Sequence, residues 1–291
     1  MKKNKWTKNS GIDKKKELNS LIEAQIMQLA EETDEVRISE GFKNHIEMMA
    51  RFHNYSVNNQ ILIMLQKPDA TLVAGYQTWK NKFGRHVIKG EKGIRIFAKG
   101  SKKYTKTDEN GKEEEREYLT FHVVNIFDVS QTEGEPIEML NWRDTVKDAS
   151  LNDALIQFAN NQGIEVELVK DIAGGADGTS SGGKIRVSES SGSTALIHEI
   201  AHELIHWADK ENRMSRKQEE IEAETVAYTV GQYFNIEADI TPNYLALWKA
   251  DGEEIRACLG RIRDTIKTII EEVEVILQPS VIEEDTLVMA V

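Results

Sequence analysis

Residues 195–207 read Ala195-Leu196-Ile197-His198-Glu199-Ile200-Ala201-His202-Glu203-Leu204-Ile205-His206-Trp207, and the reading of the C-terminal half turns on them. His198 and His202 are four positions apart, so on a helix they sit one turn apart on the same face. Two imidazoles so placed can share one metal ion. Glu199 stands about 100° further round the helix, an offset that reaches a water beside the ion rather than the ion itself. Zinc acidifies such a water towards neutrality, which makes Glu199 the expected catalytic base. Ala195 to Ile197 before the histidines, and Leu204, Ile205 and Trp207 after them, mark a largely buried helix. A chance match on a solvated helix would not carry those flanks.

The five-residue pattern occurs twice, because His202-Glu203-Leu204-Ile205-His206 also satisfies it. The frames share His202, so only one can be the main site. The apolar run Ala195 to Ile197 leads into the first, leaving His206 at the helix end or behind a ligand, oriented by hydrogen bonding. A catalytic zinc keeps three protein ligands and one open position. The single cysteine, Cys258, excludes a cysteine-rich zinc module and leaves His and carboxylates as donors. Glu219-Glu220-Ile221-Glu222-Ala223-Glu224 offers four carboxylates on the next helical stretch. Glu220 and Glu224 share one face; Glu220 is taken as ligand and Glu224 as the residue orienting a ligand histidine, with the reverse assignment open. Glu219 and Glu222 are expected to be solvated.

Working outward, a helix at about 150–161, a strand at 164–169, a glycine-rich loop at 173–183 and a short strand, Lys184 to Ser188, precede the site helix at about 192–208. A helix at about 217–234 and a long amphipathic one near 252–277 follow. Towards the amino terminus, residues 1–15 are lysine- and asparagine-rich and read as a mobile basic arm. Helical spacing covers Leu18 to Glu32 and Ser39 to Arg51, and Ser56 is placed to cap a third helix ending before Pro68. Val87-Ile88, Ile94 to Phe97 and Tyr118 to Val129 read as strands, with Thr107 to Glu117 as an exposed hairpin loop. The fold class is α+β, divided into 16–135, 145–278 and an acidic tail, 279–291.

The chain has 291 residues, 40% hydrophobic and 30% charged, with net charge −12. That balance is globular. No apolar run approaches a membrane span, the basic start leads into no apolar signal core, and one unpaired thiol fits a reducing compartment; a cytoplasmic protein is expected. The charge is uneven: from Lys80 to Lys106 ten Lys/Arg face one acid, Glu91. Such a block can neutralise phosphates, and Tyr55, Trp79 and Phe83 can offer faces for unpaired bases. The competing readings are that Trp79 and Phe83 belong to a core and that Asn58 and Asn59 cap a helix.

Leu196 to His202 with Leu204 to His206, and Glu220 to Tyr228, resemble the zincin-like peptidases of the ImmA/IrrE group. That resemblance implies a mainly helical metallopeptidase domain with a small sheet, in which Lys184 to Ser188 takes the place of the edge strand that receives extended substrates. Asn54 to Leu62, Pro68 to Thr71, Trp79 and Gly84 to Ile94 resemble the single-stranded-DNA-binding domain of ArdC-like antirestriction proteins of mobile elements. It implies an α+β domain binding single-stranded DNA, with Tyr55, Asn58, Asn59, Trp79, Arg85, Lys89, Lys92 and Arg95 as candidate contacts. Together these imply a zinc metalloendopeptidase, with His198, His202 and Glu220 on the metal and an unknown peptide substrate. The alternatives are a non-enzymatic protein shielding single-stranded DNA around a structural or vestigial zinc site, and a regulatory protease cleaving one repressor-like partner.

Overall fold

A computed structural model describes residues 6–31, 35–107, 113–137, 147–208, 214–236 and 251–278. The fold is mixed α+β. Its contacts divide it into two compact units, one built on Met1–Gln25 and Ile61–Ile137 and the other on Ile26–Gln60 and Glu138–Leu287. The sequence reading puts 16–135 in one domain; by contacts, residues 26–60 belong with the C-terminal half.

Helices α1 (Trp6–Glu31), α2 (Glu35–Arg51) and α3 (Val57–Gln66) open the chain. Helix α1 begins at Trp6, so most of the stretch read as a mobile arm is helical; residues 1–5 and the acidic tail, 279–291, lie outside the described residues. Along α1, Leu18, Ile22, Ile26 and Leu29 recur at helical spacing and all are buried. Ser56 Oγ accepts the Asn59 N–H at 3.4 Å, the N-cap bond expected of serine.

In the first unit, β1 (Val73–Gly75), β4 (Glu113–Asp128) and β3 (Ile94–Thr107) form an antiparallel sheet in the order β1-β4-β3, α4 (Tyr76–Asn81) follows β1, and β2 (Arg85–Val87) pairs with β5 (Thr132–Gly134). Ile94, Ile96 and Ala98 alternate inward on β3, as a half-buried strand requires. The long β3–β4 ribbon continues to Thr107 opposite Glu113. Glu113 to Glu117, expected in a loop, are therefore strand, paired in register with Thr107 to Lys103 of β3; residues 108–112 lie outside the described residues. Asp128 fixes the sheet's end: its carboxylate accepts the N–H groups of Thr71, Leu72 and Ser130.

In the second unit, α5 (Asp148–Asn161) leads to β6 (Glu165–Val169), β7 (Gly178–Ser180) and β8 (Lys184–Ser188), ordered β6-β8-β7. Strand β8 is parallel to β6 and antiparallel to β7. Lys184 to Ser188 is thus the central strand, which corrects the expectation of an edge; β6 is an edge strand, as is Gly178–Ser180, a three-residue strand inside the glycine-rich loop. It is too short to carry an alternating pattern. Helix α6 (Ser193–Ala201) runs into a π-helical turn, His202–Trp207. Helix α7 (Arg216–Tyr233) packs on α6, and α8 (Gly252–Leu277) packs on α7 and α5. Ile255, Leu259, Ile262, Ile266, Ile269, Ile270 and Val273 form the buried face of α8.

Candidate functional site

Helix α6 starts under local control. Ser193 donates its N–H to Asp148 Oδ1 at 3.1 Å and its hydroxyl to Asp148 O at 3.0 Å, which ties the first turn to α5. Leu196, Ile197, Ile200 and Ala201 are buried, and the opposite face carries the histidines. His198 Nε2 and His202 Nε2 stand 3.1 Å apart. Glu220 comes from α7, whose start is fixed by a capping box of Ser215 with Gln218. Its Oε2 lies 3.5 Å from His198 Nε2 and 3.7 Å from His202 Nε2.

Three donors at those separations fit a metal ion. A tetrahedral ion with bonds of about 2.0–2.1 Å has ligand atoms about 3.3 Å apart. Glu220 turns one oxygen to this point while Oε1 sits 3.7 Å from Arg216 Nε. Burial holds the His198 imidazole below its ordinary pKa, against the opposing pull of Glu220, and the neutral ring is the form that ligates. The structure brings His198, His202 and Glu220 together as a group that could hold a metal ion. Glu224, one turn on, lines the same cleft.

Glu199 is buried beside them. Burial pushes its pKa up to about 7, aided by the charges of Glu220 and Glu203 and opposed by a hydrogen bond from Ser180. Trp207 Nε1 donates to Ser180 Oγ at 3.3 Å. These groups line a cleft of about 770 Å³, with the edge strand Gly178-Thr179-Ser180 forming one wall.

The second motif frame is spent on structure. Glu203 accepts the N–H groups of Ser181, Gly182 and Gly183 at 2.9, 2.8 and 2.6 Å. Its carboxylate pins the hairpin between β7 and β8. His206 turns away from the metal position: Nδ1 lies 2.9 Å from His202 Nδ1 and Nε2 3.3 Å from Glu222 Oε2. Glu222, expected in solvent, is fully buried and ion-paired to Arg261, and Glu219 is also buried. Sequence reasoning missed Glu203, Glu222 and Arg261; the one signal was a run of acids too rich for a solvated helix face alone. Tyr228 lies in a separate cavity with Ile46 and Gln232.

The candidate DNA contacts fall in both compact units, Tyr55, Asn58 and Asn59 in one and the rest in the other. Several are committed to the fold. Trp79 is a core residue, 0% exposed, with Nε1 donating to Phe127 O at 2.8 Å, so it offers no face to a base. Tyr55 packs edge-on against Phe52, and burial raises its hydroxyl pKa to about 12. Asn59 is buried, and Asn58 Oδ1 accepts from Arg256 at 3.0 Å. Arg85 donates to Thr132 Oγ1, Thr132 O, Gly134 O and Glu135 O. Arg95 forms a two-bond pair with Glu17. Lys89 and Lys92 remain exposed. The basic block also meets acidic partners, since Lys103 lies opposite Glu117 and bonds Glu115.

Fold and site define an α+β protein with a His–His–Glu ligand set on two packed helices. Residues 16–129 match the model of the N-terminal domain of anti-restriction factor ArdC. It is 24% identical over 279 residues to an uncharacterized protein of Bacillus anthracis, pXO2-81, covering 78% of this chain and 46% of that one. The chain thus spans under half the length of that relative. Among solved structures it is similar to antirestriction ArdC from the R388 plasmid. The metal-free form gives 19% identity and a TM-score of 0.42, over 76% of this chain and 85% of that one. The Mn(II)-bound form gives 18% and 0.41, over 80% and 98%. Among the described residues no helix is long and apolar enough to cross a membrane.

Proposed function

We propose that the chain is a zinc-dependent metallopeptidase joined to a single-stranded-DNA-binding domain, working in antirestriction. The observation that carries the enzymatic part is Glu199, buried and raised to about 7, beside three convergent donors in a cleft. A base needs a pKa near the working pH, and a purely structural ion needs no base. The His₂Glu set is suited to zinc with an open position. His198, His202 and Glu220 would hold it, and when bound it supplies Lewis acidity to a water and to a peptide carbonyl.

The remaining work falls to the chain. Strand β7 offers its free edge to an extended peptide through backbone pairing. Glu199 takes a proton from the attacking water as the O–C bond forms, and passes it to the amide nitrogen as the C–N bond breaks. The antirestriction setting and the DNA-binding reading rest on the matched N-terminal domain, with exposed Lys89 and Lys92 as phosphate contacts.

The test is a proteome-wide cleavage comparison between the wild type and Glu199→Gln, with and without single-stranded DNA. The variant is expected to keep one zinc per chain and lose every cleavage. Identical cleavage patterns would remove Glu199 from the reaction and the peptidase reading with it.

A further inference from the structure

The two histidine ligands differ in what stands behind them. His198 Nδ1 is buried with no hydrogen-bond partner. His202 Nδ1, by contrast, starts a chain of contacts leading away from the cleft. It lies 2.9 Å from His206 Nδ1, and His206 Nε2 lies 3.3 Å from Glu222 Oε2. Arg261 of α8 then reaches both oxygens of Glu222, Nε at 3.1 Å from each and Nη2 at 2.5 Å from Oε1. Its Nη2 also sits 3.0 Å from Met214 Sδ. The side chains of His206 and Glu222 are each 1% exposed, so solvent does not stand in for a missing partner.

The hydrogens along this chain have one self-consistent arrangement when both rings are neutral. Arginine only donates, so Glu222 accepts as a carboxylate. Its Oε2 then takes a hydrogen from His206 Nε2. A neutral His206 with its hydrogen on Nε2 has a bare Nδ1, which accepts from His202 Nδ1. A neutral His202 with its hydrogen on Nδ1 has a bare Nε2, the atom that faces His198 and Glu220.

We propose that Arg261, Glu222 and His206 form a positioning chain that holds His202 in the Nδ1–H tautomer, its Nε2 lone pair aimed at the metal position before any ion arrives. The chain rests on the metal-site reading above and gives α8 a part in it. Partners of this kind set ligand orientation and basicity, and losing one costs metal affinity about 10–100-fold.

The decisive measurement is long-range ¹H–¹⁵N correlation on metal-free, full-length protein labelled at histidine, with His202 assigned by the signals lost in His202→Gln. The expected result is a protonated Nδ1 and a bare Nε2 on His202. A hydrogen on Nε2 overturns the proposal, with no variant required to fold. Zinc affinity by chelator competition is the second readout: Arg261→Met and Glu222→Gln should each bind about 10–100-fold more weakly, and Arg261→Lys should recover part of the loss. Affinities within twofold of wild type, with native circular dichroism, also overturn it. Neither readout uses a peptide, so a chain that cleaves nothing still decides the proposal, and its failure leaves the peptidase reading standing.

Discussion

Gly178 lies against Glu199: a Cβ built on Gly178 would stand 2.6 Å from Glu199 Cγ and 2.8 Å from its Oε1. The edge strand and Glu199 therefore share one packing contact, and the strand needs glycine for closeness.

Gly178→Ala should push the Glu199 carboxylate out of place while leaving the three ligand atoms where they are. A misplacement of about 1 Å can cost about 100-fold in rate. Hydrolysis should fall by that order, with zinc content unchanged. A variant that turns over a reporter peptide at the wild-type rate would show that Glu199 adapts, and that the contact does not position it.

The convergence of His198, His202 and Glu220 was legible because its basis is local: the histidines are one helical turn apart, and Glu220 follows on a helix with its own cap. What lay hidden depends on distant partners. The hairpin that Glu203 grips is held through backbone N–H groups, which no side-chain pattern records. Arg261 is 39 positions from Glu222, and nothing local announces the pair. Trp79 was open to reading as a stacking face, though its helical spacing with Phe83 favoured the core where the structure places it. Within the basic block, strand pairing sets Lys103 opposite Glu117 and beside Glu115, which no local pattern announced.

Glu203→Gln tests the grip on the hairpin. Three backbone donors now converge on one buried carboxylate, and bonds to a charged acceptor are the strong kind. The amide keeps a single acceptor and points a donor at the remaining N–H groups. A loss of about 2–3 kcal/mol is expected, seen as a lower denaturant midpoint with zinc still bound. An unchanged midpoint would mean the hairpin holds without Glu203.

His45 carries a pH dependence of stability. It is 1% exposed, its Nε2 has no hydrogen-bond partner, and burial lowers its pKa to about 4. Above about pH 6.5 the ring is neutral in both folded and unfolded chains and contributes nothing. As the pH falls below that, the unfolded chain takes up a proton that the folded one refuses, so stability drops until about pH 4. The span corresponds to about 3 kcal/mol. With metal removed by chelation, His45→Phe should lose less stability between pH 7.5 and 5 than the wild type in urea titrations. Parallel losses in the two proteins would clear His45 of the effect.

The DNA reading now rests on fewer residues, and on a turn. Glu91 N–H bonds Ile88 O at 3.2 Å, and Gly90 sits at φ +100, the conformation a type II turn needs at its third position. Lys89 is thereby presented at the tip, with exposed Lys92 just after it. Lys89→Ala with Lys92→Ala should weaken binding of a labelled single-stranded oligonucleotide with little effect on folding. The slope of log affinity against log salt should flatten by about 1.4, the value for two lost phosphate contacts on a single strand. Trp79→Ala should instead unfold the first unit, since it empties a fully buried site and costs about 3–5 kcal/mol. An oligonucleotide affinity and salt slope unchanged in the double lysine variant would move any DNA contact away from this turn.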